Sequence, residues 1–209
     1  AGFIGFHLAK ILIKAGYDVI GIDNFNNYYD VKLKEARVAN LNAKSNFKFY
    51  QIAIEDNTQL NNIFQQEGFD RVIHLAAQVG VRSPPGEFYR YVNSNLLGFS
   101  NVLDSCRINA IEHLLYASSS SVYGDMAVTP FKEQDIVDKP QSLYAASKRA
   151  NELMAYSYAH LYGLPVTGLR FFTVYGARGR PDMAPLRFAR KLLADEVIDV
   201  YNHGQMARD

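Results

Sequence analysis

Cysteine is almost missing from this chain: its 209 residues hold one, Cys106. A disulfide framework needs pairs, so none is expected, and a reducing cytoplasm is the expected compartment. The single thiol falls in a helical pattern and reads as a small core residue. An excess of one charge is missing too. Lys and Arg number 22 against 21 Asp and Glu, for a net charge of +1. That balance gives no pull toward nucleic acid or an anionic membrane surface. No apolar run approaches the ~20 residues of a membrane span. His7, His74, His113, His160 and His203 are scattered without paired ligand spacing, so no metal site is expected. An initiating Met is absent as well. The chain opens on Ala1-Gly2-Phe3-Ile4-Gly5, a turn running into a helix with no strand before it. It reads as an internal fragment of a longer protein, expected to fold poorly and to be inactive alone.

What is present alternates between strand and helix patterns. Leu8, Ile11, Leu12 and Ala15 share one helical face, predicting a helix over 8–15 that Gly16 stops. Further helices are predicted over 31–41 (polar and Lys-rich), 58–66, 88–109, 143–162 and 185–194. Strands are predicted over 17–22, 47–52, 71–75, 113–117 and 166–170. The alternation implies an α/β fold, a doubly wound parallel sheet of Rossmann type whose first strand is missing. Such sheets bind ligands at the carboxyl ends of their strands. The irregular stretch 118–141 follows one such end and is longer than the ~12–15 residues usual for loops, so it reads as functional.

Two segments there carry chemistry. Ser118 to Ser121 form a hydroxyl run at the end of an apolar strand, and Tyr144 and Lys148 lie four residues apart on one helical face. The Lys charge can lower the Tyr pKa from its reference near ~10, and a strand-end Ser can share the proton. That is a general base for removing a proton from an alcohol while a hydride leaves the same carbon. At the chain start, Gly2-Phe3-Ile4-Gly5 reads as the tail of a glycine-rich phosphate-binding turn. Asp23 follows the next strand, 18 residues after Gly5, where an acid takes the adenosine ribose hydroxyls and repels a 2′-phosphate. Together they point to NAD rather than NADP.

With these residues in order, the chain resembles the extended short-chain dehydrogenase/reductase family. Within it the likeness is to NAD-dependent nucleotide-sugar epimerases, in particular UDP-glucuronate 4-epimerases. It runs through His74 to Arg82, Asn95-Leu96-Leu97-Gly98, the Ser run, Tyr144 to Lys148, Arg170 to Gly176 and Gly179 to Ala184. The resemblance implies a dinucleotide-binding domain over 1–170 and, from 171 to 209, the start of a smaller substrate-binding region. It implies cofactor contacts from Gly2, Phe3, Ile4, Gly5, Asp23, Asn24, Ala76, Ala77, Gln78 and Asn95, with Tyr144 and Lys148. Ser119, Tyr144 and Lys148 match the catalytic set; Thr173 matches a residue near the sugar and Arg180 one near the nucleotide diphosphate. Two positions depart from the family. Ala53 stands before Ile54 where an Asp contacting adenine is usual, leaving Glu55 or Asp56 as replacements. Ala177 and Arg178 stand where a Pro-Trp pair is usual.

The implied reaction is 4-epimerisation of a UDP-uronic acid through a transient 4-keto sugar on tightly bound NAD. A 4-keto uronate is a β-keto acid, so its carboxylate must be held away from the orientation that loses carbon dioxide. Ser120, Ser121 and Thr173 suit that role, with Arg82 as a further candidate; turn chemistry for the serines and a solvated charge for Arg82 are the plainer readings. Dehydratase and decarboxylase relatives need an acid after the hydroxyl residue, where this chain has Ser120 and Ser121. UDP-glucose 4-epimerisation stays open, and a non-catalytic NAD-binding protein would not need Ser119, Tyr144 and Lys148 together. The family commonly dimerises through the helices starting here at Phe88 and Leu143, so a homodimer is expected, with a UDP-sugar as the small-molecule partner.

Overall fold

The computed structural model describes residues 1–80, 86–125 and 129–205, leaving out the side chains of 201 and 202. The order is α1 (Phe3–Lys14), β1 (Val19–Ile22), α2 (Val31–Asn42), β2 (Phe47–Tyr50), α3 (Asn57–Glu67), β3 (Arg71–His74) and α4 (Phe88–Tyr91). A π-helical turn (Val92–Leu97) leads into α5 (Gly98–Ile108) and β4 (His113–Ser119). A 3-10 turn (Ser120–Tyr123), α6 (Leu143–Tyr162), β5 (Val166–Phe171) and α7 (Ala184–Leu193) follow.

The strands form a pair, β1 beside β2, and a triple in the order β3-β4-β5. In the triple all strands are parallel, with His74 opposite Tyr116 and Ser118 and Ser119 opposite Arg170 and Phe171. In the pair, Val19 N donates to Asn46 O and Asp23 N to Tyr50 O, a constant offset that only parallel strands keep. Parallel sheets with helical crossovers make the Rossmann-like α/β fold expected from the alternation.

Contacts divide the chain into two compact units: Ala1–Val19, Phe25–Lys48 and Thr173–Asp209 in the first, Ile20–Asn24 and Phe49–Phe172 in the second. In the second unit Leu60, Phe64, Phe99, Leu103, Cys106 and Leu114 build the main core, so α3, α5 and β4 share one apolar centre. Cys106 is buried as expected, and burial pushes its thiol up to about 12. The first unit has a smaller core of Phe6, Ala9, Ile13 and Leu41, where α1 packs on α2.

Three differences from the sequence reading matter. Helix α1 begins at Phe3, not residue 8, so the Gly2-to-Gly5 turn is its first turn. The single helix expected over 88–109 is broken by the π-helical turn. Strand β4 runs two residues past 117, so Ser118 and Ser119 are strand residues.

Candidate active site

Helix α6 starts at Leu143 because Ser142 is extended and its side chain accepts the Ala145 N–H at 3.1 Å. That start sets the phase of Tyr144, Lys148 and Glu152, at i, i+4 and i+8 on one face. Lys148 is only 2% exposed, and its Nζ donates to Ala117 O at 2.8 Å, stitching the helix to the end of β4. Burial pushes its ammonium down to about 8. Tyr144 is half-buried, its ring 6.4 Å from that of Tyr91, whose hydroxyl donates to Gly80 O at 2.7 Å. Ser119 is buried; its hydroxyl donates to Ser121 Oγ and accepts from Ser121 N, both at 3.1 Å. The structure therefore joins Ser119 to Ser121, with Ser120 opening the 3-10 turn between them. A phenol, a buried ammonium and strand-end hydroxyls suit proton transfer to and from an alcohol.

Asn95 ties this helix to the loop after β3. It is 1% exposed; its Oδ1 accepts the Gln78 N–H at 2.8 Å, and its Nδ2 donates to Gln78 O at 3.0 Å and Ser147 Oγ at 2.8 Å. The backbone carbonyl of Asn95 accepts from Asn151 Nδ2 at 2.5 Å. That carbonyl lies within the π-helical turn, so α6 supplies a donor where regular helix pairing is interrupted. Ala76 packs on the main core, and Ala77 stands half-buried beside it.

A second anchor sits one turn beyond Lys148. Glu152 Oε1 accepts from Ser118 Oγ at 2.6 Å and Arg170 Nε at 2.9 Å, and Oε2 from Arg149 at 3.0 Å and a second Arg170 nitrogen at 3.0 Å. Burial alone would raise this carboxyl, but the hydrogen bonds from Arg170 and Ser118 outweigh it and hold it below the usual carboxylate range. The sequence reading named Ser118 only as part of the hydroxyl run and missed Ser147, Asn151 and Glu152. The signal was available, since Ser147, Asn151 and Glu152 extend the phase that Lys148 sets along α6.

The first unit holds the glycine turn. Gly2 is the extended N-cap of α1, with no side-chain cap and no acid in the first turn. A Cβ at Gly2 would meet nothing within 4 Å, so the helix N-terminus is open to an anion. Arg37 is fully buried, which a polar, Lys-rich reading of α2 did not anticipate. It donates to Ala1 O at 3.0 Å, Tyr29 Oη at 2.7 Å and Arg178 O at 2.6 Å, tethering the start of the glycine turn. Its signal was the stripe Lys34, Arg37, Val38 and Leu41, at i, i+3, i+4 and i+7, which is the buried face of the helix. Arg180 pairs with Asp182 at 2.5 Å and lies over the Tyr28 ring, and Thr173 is exposed. In the second unit Asp23 is half-buried at the end of β1 and Asn24 is exposed. Arg82 lies outside the described residues. The open α1 N-terminus at Gly2 fits an anionic group such as a pyrophosphate. Among the described residues no group of three His, Cys, Asp or Glu is placed to hold a metal, and no helix is long and apolar enough to cross a membrane.

Known proteins resemble this chain in sequence and in fold. Protein CapI of Staphylococcus aureus is 53% identical over 209 residues, covering 100% of this chain and 62% of that protein. The probable UDP-glucuronate 4-epimerase of Rhizobium meliloti is 47% identical, covering 100% of this chain and 61% of the relative. The chain thus spans about three fifths of the length of these curated relatives. Among solved structures, UDP-glucuronic acid 4-epimerase from Bacillus cereus, in complex with UDP-glucuronic acid and NAD, aligns with a TM-score of 0.87 and 36% identity. That alignment covers 93% of this chain and 61% of that one. The model of the NAD dependent epimerase/dehydratase family matches residues 1–209, and with the glycine-capped helix, the strand-end acid and the Tyr144–Lys148 face already in hand, the chain belongs to that family.

Proposed function

We propose that the protein containing this chain interconverts UDP-glucuronate and UDP-galacturonate by 4-epimerisation, with tightly bound NAD. The observation carrying the reading is the α6–β4 junction. There Lys148, buried and fixed on Ala117 O, lies one helical turn from Tyr144 and beside the strand end that carries Ser119. Bound NAD would supply the reversible hydride chemistry at sugar carbon 4, and this chain's residues would hold it. Gly2 to Gly5 and the open α1 N-terminus hold its pyrophosphate, and Asp23 and Asn24 its adenosine ribose. Ala76, Ala77 and Gln78, braced by Asn95, line it after β3.

Tyr144 takes the proton of the sugar 4-hydroxyl and later returns it. The Lys148 ammonium stabilises the negative charge that develops on the phenol, and Ser119 hydrogen-bonds the sugar oxygen once it turns from Ser121. Ser120, Ser121, Thr173 and Arg82 hold the uronate carboxylate out of the orientation that favours decarboxylation. Arg180 faces the diphosphate. Residues 1–170 serve the dinucleotide, and 171–209 begin the substrate region. The protein works in the cytoplasm as a homodimer.

The test is to incubate the full-length protein with UDP-glucuronate, UDP-glucose and UDP-xylose and to identify products by NMR. UDP-galacturonate from UDP-glucuronate is expected. UDP-galactose from UDP-glucose, with UDP-glucuronate untouched, would transfer the reading to the glucose epimerases, and a pentose product would make it a decarboxylase. Tyr144→Phe should lose turnover by at least ~100-fold with UDP-sugar binding largely kept; retained turnover removes Tyr144 from the base role.

A further inference from the structure

We propose that the Glu152–Arg170 ion pair positions the Ser119 hydroxyl for the reaction, by holding the hydroxyl turn after β4 at both its ends. The inference rests on the epimerase reading above and adds to it two positioning residues that act through Ser119. Ser119 is extended and caps the 3-10 turn that follows, its side chain accepting the Ser121 N–H. Its position is therefore tied to that turn. The turn is entered from Ser118. Successive strand residues face opposite sides of a sheet, so Ser118 and Ser119 leave β4 on different faces. Ser118 Oγ donates to Glu152 Oε1 at 2.6 Å, and the same oxygen accepts from Arg170 Nε at 2.9 Å. Arg170 is the β5 residue in register with Ser118, so the contact closes across the sheet and not along the chain. Lys148, one turn earlier on α6, holds Ala117 O. The helix that carries Tyr144 thus grips two consecutive β4 residues from successive turns, and this fixes the strand end against Tyr144.

The turn is left through Tyr123, whose ring lies 4.9 Å from the same guanidinium. Val122 and Val137 are buried with Tyr123 in a small core of their own. Next to it Gly124 has φ +62, and a Cβ there would come within 2.5 Å of Lys139 O, so the exit is packed against backbone. The guanidinium reaches on to Glu133 O at 3.3 Å, while Arg149, on the other Glu152 oxygen, reaches Asp138 at 3.3 Å. One planar cation therefore meets the entry of the turn, its exit and the loop that returns from it. A rigid fork of donors with a stacking face can serve all three at once; a point charge on a flexible stem serves one. Losing the fork frees both ends of the turn together, and Ser119 is the group that the turn carries toward the reacting alcohol.

The experiment is a double-mutant cycle on kcat in the full-length protein, with NAD and sugar saturating and folding checked by circular dichroism. Arg170→Met should lower kcat by about 10- to 100-fold and leave KM within about threefold, because a displaced hydroxyl costs alignment and not binding. In a Ser119→Ala background the same substitution should lower kcat by less than about twofold, since the group it positions is gone. Arg170→Lys keeps the charge and loses the fork; it should show the same pattern with a smaller first loss, which keeps the test open if the methionine variant does not fold. Equal losses in the two backgrounds, or a raised KM with kcat kept, would mean that the pair only supports the fold, and would overturn the inference. The cycle is run on whichever UDP-sugar the wild type turns over, so it decides the role of the pair even if the uronate reading fails. A wild type that turns over none of the three sugars overturns both.

Discussion

Two buried bases, Lys148 and His74, tie the stability of the fold to pH. Burial pushes Lys148 down to about 8 from 10.5. Between those values the unfolded chain holds the proton and the folded one does not, so stability rises with pH across that window; below about 8 the folded state carries the full cost of an interior ammonium. At ~1.4 kcal/mol per unit that cost is roughly 3 kcal/mol, and replacing the lysine also strips Ala117 O of its donor, which costs about 1 kcal/mol. Lys148→Met is therefore expected to stabilise the full-length protein by about 2 kcal/mol at pH 7 while abolishing turnover. It should also remove the gain between pH 8 and 10.5 in urea melts. A Lys148→Met protein less stable than wild type at pH 7 would mean the ammonium is not a burden there. His74 has the same sign in a lower window. Burial first, and the charge of Lys148 second, push it down to about 3, and its Nε2 has no partner. Its contribution is complete above the unfolded value of ~6.5 and is lost progressively as pH falls toward 3. His74→Leu should flatten the acid limb of a stability–pH curve over that range, and an unchanged limb would assign acid lability to other groups.

Among the elements, α6 was the most legible and the helix over 88–109 the least. Ser142 before the apolar pattern and Gly163 after it bound α6 at the residues the sequence predicts, because cap chemistry is local. The π-helical turn has no such local sign. Neither Pro nor Gly stands within Val92–Leu97, and the widened register is sustained by partners from α6 and the Gln78 loop that only the tertiary fold brings near. The same holds for Glu152. Its phase on α6 was readable, but not the two arginines and the serine that converge on it from the sheet and from its own helix. Breaking such a half-buried cluster by removing Glu152 strips Arg170 of that ion pair and leaves Arg149 with Asp138. Glu152→Gln is expected to cost about 3 kcal/mol in chemical denaturation. The loss should shrink in an Arg170→Met background if the pair, rather than the carboxylate alone, carries the effect.

For the assembled protein, the helices that frame the proposed site also carry a series of exposed apolar side chains. On α6, Leu153 is 54%, Tyr156 72% and Leu161 67% exposed, and Leu97 and Ile108 are exposed at the two ends of the segment leading into and through α5. Arg107 lies over the Tyr162 ring at 5.0 Å, so α5 and α6 are joined along this side. Isolated exposed apolar residues are ordinary, but a series of them on two adjoining helices is what an interface core needs. A symmetric dimer buries the same patch twice, so one substitution alters both halves of the contact. Sedimentation of the full-length protein should show a dimer, and Tyr156→Glu should shift it to monomer by setting two carboxylates against each other in an apolar setting. Because α6 also carries Tyr144 and Lys148, the monomer is expected to keep its fold, by circular dichroism, yet to lose activity in proportion to dimer lost. A protein that sediments as a monomer without substitution would remove α6 from any self-association and leave its apolar side to another partner.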